Sequence, residues 1–367
     1  MIDLAPMKGI YVDPARRTIR AQGGVTWREF NRETQVYDLA TTGGVISTTG
    51  IAGLTLGGGL GWLMGKYGMA VDNLLSAEIV TADGESLTAS AEDNPDLFWA
   101  IRGGGGNFGV AASLEYRLHP VGQITGGLVA HPVDKAKDVL RFFRDFTASL
   151  PDELTAFAGV THAPDGSGMK LAFVAVCHCG LLEQGAKALE PVKMFGSPVM
   201  DVIGPMPYGQ LNVMLDGGFP RGALNNWKAN FLRELSDQAI DTIIERFLAA
   251  PSTMSAIMLE YFHGAVTRVG VTETAFPHRD RGYNLAVISQ WLEPKDNARN
   301  TAWAKDSFAA MKPFVAAGRY VNYLGDDEAG DPVRAAYGPN YDRLVELKNR
   351  YDPTNFFHMN QNIRPTA

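Results

Sequence analysis

The sequence holds only two cysteines in 367 residues, Cys177 and Cys179. A disulfide framework is thereby excluded. A structural zinc site takes about four ligands and no second Cys pair exists, so no metal is expected. The two thiols flank His178, and on a strand they would share one face with the imidazole on the other, the pattern of a buried strand. Long apolar runs are also missing. None approaches the roughly 20 residues of a spanning helix, and Met1 leads straight into Ile2-Asp3-Leu4, which reads as a strand and not as a signal peptide. A basic excess is absent as well: Lys and Arg number 33 against 40 Asp and Glu, a net charge of −7. With the basic residues scattered, neither nucleic acid nor an anionic membrane surface is expected as a partner. No internal repeat or low-complexity tract occurs. What is present is 46% hydrophobic and 20% charged, the composition of a globular protein with a sizeable core. The length predicts two domains sharing one cleft.

The first third alternates short strands and helices. Ile10-Tyr11-Val12 and Thr18-Ile19-Arg20 flank a Pro-containing turn, and Thr26-Trp27-Arg28-Glu29 has the capping-box pattern that opens a helix. Ala77 to Thr81 and Ser86 to Thr88 flank Ala82-Asp83-Gly84-Glu85, a hairpin signal. Asn94 to Arg102 reads as a helix with Pro95 near its start, and Leu114 to Leu118 as a strand with one wet face. After His119-Pro120 the texture changes. Asp134 to Ser149 carries Val139, Phe142, Phe143 and Phe146 along one helical stripe, and strands follow around Met169 to Cys177. Ile240, Ile243, Ile244, Phe247 and Leu248 fit a helix, Tyr283 to Trp291 a buried strand, Asn297 to Met311 another helix. The last segment, Pro339 to Tyr351, reads as a short helix stopped by Asp352-Pro353. Hairpins and helices without a βαβ rhythm predict an α+β fold.

Eight glycines lie between Gly43 and Gly61. Each costs about 0.5–1 kcal/mol relative to Ala in regular structure, so the density suggests that something must come close to the backbone. A nest of free N–H groups suited to a pyrophosphate or to flavin-ring oxygens is one reading; a set of tight turns between strands is the other. A second cluster, Gly103 to Gly106 with Gly109, contains a formal G-x-G-x-x-G. A dinucleotide fingerprint must follow a strand and open a helix, whereas here a helix precedes and a strand follows. No Gly-Lys-Ser/Thr follows either cluster, so a Walker loop is excluded too.

These residues carry a resemblance. Gly43 to Gly61, continued by Lys66-Tyr67-Gly68 and Asp72-Asn73, resembles the second half of a flavin domain of the vanillyl-alcohol-oxidase type, and more specifically the berberine bridge enzyme group. Asp96 to Val110 resembles a second block of the same pattern. Pro207-Tyr208, Trp227-Lys228, Thr274 to Arg279, Tyr320 to Tyr323 and Tyr351 to Phe357, closing on Asn360-Gln361-Asn362-Ile363, continue it in order along nearly the whole chain. The resemblance implies an FAD-linked oxidoreductase with an incomplete flavin domain over residues 1–120. It implies a substrate domain over 121–325, a large antiparallel sheet backed by helices, and a tail, 326–367, that returns to the flavin domain. It further implies that Ser47, Thr48, Thr49, Gly50, Gly53, Leu54, Gly57, Gly58, Gly59 and Gly61 contact the flavin and its phosphates, that Val110 meets the adenine, and that Asn360 and Asn362 lie beside the flavin. A cysteinyl attachment is excluded, since Ile46 stands where relatives with that bond carry Cys. The flavin-attaching His and the main pyrophosphate loop would precede Met1, so the expectation is an N-terminally truncated member. A cytoplasmic location is favoured, with the compartment and oligomeric state left open.

Oxidising an alcohol requires a base for the hydroxyl proton as hydride leaves carbon. The resemblance gives that role to Tyr320, oriented by Asn322, with Tyr323 as the alternate; a phenol of pKa about 10 must be lowered to serve near neutrality. Tyr320 as an ordinary sheet tyrosine is the competing reading. His278-Arg279 reads as an anchor for an anionic substrate or as a latch between domains. Tyr208, Trp227 and Tyr261 read as pocket lining or as core. The function expected is a flavin oxidase or dehydrogenase acting on an alcohol, sugar or secondary metabolite. The alternatives are a flavin-less remnant that binds a small molecule or partner, and a non-flavin nucleotide binder, which the inverted glycine order disfavours.

Overall fold

In the computed structural model, residues 2–325 and 331–366 are described. The expected boundary at 325/326 therefore borders residues outside those described. Strands β1 (Ile10–Asp13) and β2 (Thr18–Gln22) form the first hairpin, and β3 (Leu39–Ala40) follows helix α1 (Trp27–Thr34). The helix opens on the capping box read from the sequence: Thr26 N–H donates to Glu29 Oε2 at 2.8 Å and Thr26 Oγ1 accepts from the Glu29 N–H. Short helices α2 (Ile51–Leu56) and α3 (Met64–Tyr67) lead into β4 (Leu74–Val80), β5 (Ser86–Ser90), helix α4 (Pro95–Ile101), β6 (Val110–Arg117) and β7 (His119–Pro120). Five of these strands pair antiparallel in the order β1-β2-β6-β4-β5, and β3 pairs with β7.

The Ile2-Asp3-Leu4 segment is not a strand. Asp3 Oδ1 accepts the Ala5 N–H at 2.9 Å and Leu4 O accepts the Met7 N–H at 2.8 Å, so the chain turns at once. A short Asp side chain bonding two residues ahead competes with a ladder, and here the turn wins.

The second sheet is built from β8 (Gln123–Pro132), β9 (Leu154–His162), β10 (Lys170–His178), β11 (Met200–Asp201), β12 (Gly204–Pro207), β13 (Leu224–Leu232), β14 (Ala256–Phe262) and β15 (Gly282–Trp291). Its antiparallel order is β11-β8-β10-β9-β14-β15-β13, with β12 also on β8. Helices α5 (Ala136–Thr147), α6 (Leu182–Met194), α7 (Tyr208–Asn212), α8 (Asp237–Leu248) and α9 (Asn297–Met311) accompany it, and α10 (Pro332–Tyr337) and α11 (Tyr341–Tyr351) close the chain. The fold is α+β, as expected.

Strand periodicity decides what each face of the large sheet touches. On one face Leu154, Val160, Ile257, Leu259, Leu285 and Val287 pack against Val139, Phe143, Ile243, Phe247 and Trp303 of the helices. On the other, Phe157, Phe173, Cys177, Met258, Ala286 and Ile288 pack against Leu60, Trp62, Leu63, Met64 and Met69, the stretch that follows the glycine loop. A third core joins the five-stranded sheet to α1, α2 and α4, and Leu344, Leu347 and Ile363 of the tail belong to it. Both cysteines are free and buried. Among the described residues no cluster fit for a metal ion occurs, and no helix is long and apolar enough to cross a membrane.

Candidate active site

Between the glycine loop and the large sheet lies a chamber of about 370 Å³. Gly44, Val45, Ile46, Thr49, Gly50, Gly53, Leu54 and Leu60 line it from the loop, and Trp227, Glu260, Tyr320, Asn322 and Tyr323 from the far side. A second chamber of about 440 Å³ adjoins it, sharing Ile46, Thr49, Trp227, Asn322 and Tyr323 and adding Thr48, Phe219, Pro220, Asn225, Gln290, Leu324 and Gly325. Among the described residues, no lining side chain of the outer chamber carries a charge.

The glycines divide into two kinds. A Cβ at Gly57 would sit 2.0 Å from Asn322 Oδ1, so glycine there lets the carboxamide reach the loop. Gly59 adopts φ +87, and its N–H donates to Tyr320 Oη at 3.1 Å; Gly58 and Gly61 are likewise hemmed in by protein atoms. At these four positions other parts of this chain come close, which the reading of the loop as tight turns allows. Gly50 and Gly53 differ: a Cβ on either would meet nothing within 4 Å, and both border the inner chamber. There the backbone is laid open toward space that protein does not fill.

Ser47 also departs from expectation. Its N–H and hydroxyl donate to Asp216 at 2.8 and 2.6 Å, and Arg28 bonds both Ser47 and Asp216. The residue is fully buried and fastens the loop to the other half of the molecule. Thr48 is exposed and Thr49 half-buried, each facing a chamber. Val110 opens β6 opposite Val80. Asn360 is exposed, and its Nδ2 lies 3.3 Å from where a Cβ on Gly106 would be, while Asn362 Oδ1 is buried without a partner. Neither Val110 nor the two tail asparagines line the chambers; the asparagines stand by the second glycine cluster, where Asn107 bonds Gln361 O at 3.1 Å and the Ile363 N–H at 2.9 Å.

Tyr320, Asn322 and Tyr323 stand together. Asn322 Nδ2 donates to Tyr320 Oη and to Leu54 O, each at 3.0 Å. With the Gly59 N–H, the phenolic oxygen accepts two hydrogen bonds, which leaves its own O–H to point elsewhere. Burial nonetheless pushes the phenol up to about 12, the two donors only moderating the rise. The lowered pKa that the sequence reading required is not found, because desolvation outweighs donors that are themselves neutral. Tyr323 is raised too, by burial and then by the adjacent Glu260.

Glu260 escaped the sequence reading. It is 2% exposed and sits on β14 at the same parity as Met258 and Phe262, hence on the chamber face. Asn284, its register partner on β15, donates to Oε2 at 2.6 Å, and Tyr323 Oη donates to Oε1 at 3.3 Å. Burial raises the carboxyl to about 7, against the lowering by these two bonds. The signal was visible: one acid in the otherwise apolar and aromatic run Ala256 to Phe262.

The other candidates resolve into structure. Arg279 makes a bidentate pair with Asp72 at 2.8 Å, and His278 bonds Ala336 O at 2.8 Å, so this dipeptide is a latch. Tyr208 is buried in the core facing the loop and Tyr261 in the helix-side core, its hydroxyl taken by Arg281. Of the three aromatic candidates only Trp227 reaches the chambers.

Comparison with known proteins agrees with this arrangement. Residues 1–90 match the family described as FAD binding domain, and residues 319–364 the family described as Berberine and berberine like. An FAD-linked oxidoreductase of Aspergillus terreus is 46% identical over 384 residues, covering 96% of this chain and 76% of that protein. One from Dictyostelium discoideum is 31% identical over 369 residues, covering 100% and 79%. The crystal structure of 6-hydroxy-D-nicotine oxidase from Arthrobacter nicotinovorans superposes with a TM-score of 0.87 at 27% identity, covering 98% of this chain and 81% of that one. An α+β fold with a chamber at the glycine loop is that of a flavin-dependent oxidoreductase. The chain belongs to the FAD-linked oxidoreductases of the berberine bridge enzyme type, and FAD is its cofactor.

Proposed function

We propose that this protein oxidises an uncharged, hydroxyl-bearing small molecule, with the flavin ring in the inner chamber and the substrate entering through the outer one. The observation that carries the reading is the single chamber bounded by Gly50 and Gly53 on one wall and by Tyr320, Asn322 and Tyr323 on the other. The residues fit the cofactor: two glycines leave space unfilled by protein, and the tail holds the buried, unpartnered Asn362 Oδ1. Thr48, Thr49, Leu54 and the loop backbone would hold the flavin. Val110, Asn360 and Asn362 lie outside the chamber and suit the remainder of an extended dinucleotide. In this reading residues up to about 120 and the tail are the flavin-side domain, and 121–325 the substrate domain. The support is that Leu344 and Ile363 pack into the core of the five-stranded sheet.

When bound, FAD accepts the hydride from the substrate carbon. The chain's part is to position the hydroxyl, exclude water and receive a proton. Tyr320, with its oxygen already held by Gly59 and Asn322, offers its O–H to the substrate oxygen. Asn322 fixes Tyr320 and ties it to Leu54. Phe219, Trp227 and Tyr323 offer aromatic surface, with Trp227 and Tyr323 edge to face at 5.4 Å. Neutral Asn225, Gln290, Thr48 and Thr49 supply the polar contacts. A charged substrate would lose its hydration there without a counter-charge.

The test is anaerobic bleaching of the bound flavin by benzyl alcohol, 4-hydroxybenzyl alcohol, D-glucose and cellobiose, against mandelate as a charged counterpart. Bleaching by neutral alcohols and not by mandelate is expected; the reverse order would overturn the reading. Tyr320→Phe is expected to lower kcat by roughly one to two powers of ten, the worth of one hydrogen bond in a dry site, with the flavin spectrum unchanged. Among the described residues no histidine or cysteine lines either chamber, and Ile46 does. In this reading Ile46 and its neighbours hold the flavin by contact alone, and acid precipitation of residues 1–367 loaded with FAD is expected to leave the yellow colour in the supernatant.

A further inference from the structure

We propose that Gln290 reads the end of the substrate remote from the carbon that is oxidised, and that the substrate carries there a neutral O–H or N–H group on a flat apolar body. The proposal rests on the alcohol-oxidation reading and goes beyond it by naming a second polar group on the substrate and the residue that receives it.

The large sheet places the residue. On β15 the side chains of Ala286, Ile288 and Gln290 share one face, and the first two belong to the core beneath the glycine loop. Gln290 is 2% exposed and stands on the outer chamber, whereas Tyr320 stands on the inner one. A molecule with its carbinol at Tyr320 therefore presents its far end to Gln290. The carboxamide is fixed in one sense. Its Nε2 donates to Gly218 O at 3.3 Å, and since a carbonyl can only accept, the nitrogen must face Gly218. Oε1 is left for the chamber, and among the described residues no group donates to it. An acceptor held in a nearly closed wall without a donor calls for one, and a substrate O–H or N–H supplies it.

The neighbouring polar groups are less selective. Asn225, opposite Gln290 in the strand register, donates through Nδ2 to Ala223 O at 2.7 Å and accepts through Oδ1 from Trp227 Nε1 at 3.1 Å, so both ends of its carboxamide are engaged. The hydroxyls of Thr48 and Thr49 rotate and can face a donor or an acceptor alike. The Gln290 bond also sets the apolar wall. Gly218 precedes Phe219, and two residues before it Asp216 is fastened to Ser47, so this segment is pinned to β15 and to the glycine loop at once. Phe219 then lies 5.7 Å from the Trp227 ring, and Trp227 lies 5.4 Å from Tyr323. Three rings in succession suit a flat apolar body, and one fixed polar atom among them sets its orientation, the usual division of labour in a small-molecule pocket.

The probes are 4-hydroxybenzyl, 4-methoxybenzyl and 4-methylbenzyl alcohol, given to the FAD-loaded protein. Hydroxyl and methoxy groups donate electrons to the ring to a similar degree, so the first two differ chiefly in the hydrogen that Oε1 would accept; the methyl compound controls for size. Wild type is expected to favour the hydroxy compound over both others by about 10–100-fold in kcat/KM, because its rivals leave the acceptor unpaired. Most of the difference should lie in KM, the contact being remote from the reacting carbon. Gln290→Leu is expected to narrow the ratio to within about threefold, losing on the hydroxy compound and gaining on the methyl compound. A role confined to holding the Gly218 segment would instead lower all three together. Gln290→Met, closer in length, serves should the leucine variant fail to fold. Calorimetric titration with 4-methylphenol and 4-methylanisole, which lack the carbinol, reads the same preference without turnover. Equal kcat/KM for the three alcohols in wild type overturns the proposal, as does a preference that survives in the variants or a uniform loss across the three compounds. A wild type whose flavin no alcohol bleaches defeats the oxidation reading instead. The titration then decides for Gln290: a preference of about tenfold for the phenol that the variant loses supports it, and equal or undetectable binding overturns it.

Discussion

Replacing Lys348 by Met is expected to cost the folded protein about 3–5 kcal/mol, the penalty for leaving one member of a buried ion pair without the other. Lys348 and Asp352 are both 0% exposed, and their charged atoms lie 2.6 Å apart one turn along α11. The ammonium also donates to Asn107 O at 2.8 Å and Phe357 O at 2.9 Å, while the carboxylate accepts the Phe356 and Phe357 N–H groups. Removing the lysine leaves Asp352 charged in the interior and frees two carbonyls, one of them on the glycine cluster that meets the tail. Urea unfolding is the measurement. The double variant Lys348→Met/Asp352→Leu should recover part of the loss, since the second change removes the stranded charge; a single variant within about 1 kcal/mol of wild type would show that the pair behaves as an exposed one.

Arg279→Met is expected to be comparably damaging, again about 3–5 kcal/mol, but with a different signature. Arg279 and Asp72 are 2% and 9% exposed. The guanidinium also bonds Thr274 Oγ1 at 2.9 Å, and Asp72 accepts the Met69 N–H at 2.8 Å. Asp72 follows the glycine loop, and Arg279 enters the large sheet through β15, so the pair fastens the two walls of the chamber. Its loss should raise the flavin dissociation constant as well as lower the urea midpoint. Lys348→Met, away from the chamber, should mainly affect the midpoint. Equal flavin affinity in Arg279→Met and wild type would show that the latch does not hold the chamber's width.

Both pairs bear on what the sequence could disclose. Asn297–Met311 is a helix over the stretch read from its pattern, and the Thr26–Glu29 box caps the helix it announced. Such signals are local: each depends on residues within a few positions. The Asp83-Gly84 hairpin and the buried strand ending at Trp291 were legible for the same reason. The Ile2-Asp3-Leu4 strand was misread because apolar spacing says nothing of an Asp that bonds its own backbone. At the site, Tyr320 and Asn322 were named through the resemblance, yet the cause of the Tyr320 pKa was not legible, since burial is a property of the packed molecule. For Gly57 the sequence left a ligand nest and a tight turn both open, and could not show that the group coming closest is Asn322, more than 250 positions away. Glu260 was missed because its significance lies in Tyr323 and Asn284, which only folding brings to it.

The closing of the five-stranded sheet's core by Ile363 and Leu344 has a consequence for biosynthesis. A ribosome adding roughly 5–20 residues each second delivers β6 and then takes some ten seconds or more to deliver the tail that covers the same core. Until then the five-stranded sheet leaves the channel with part of its apolar interior uncovered and the Asn107 carboxamide without its partners in the tail. The nascent chain is thus obliged to wait on its own last residues. Slow-translating codons near the end of the message would lengthen that exposure, and holdase chaperones that cover apolar surface are expected to raise the yield of native protein more than those that act after release.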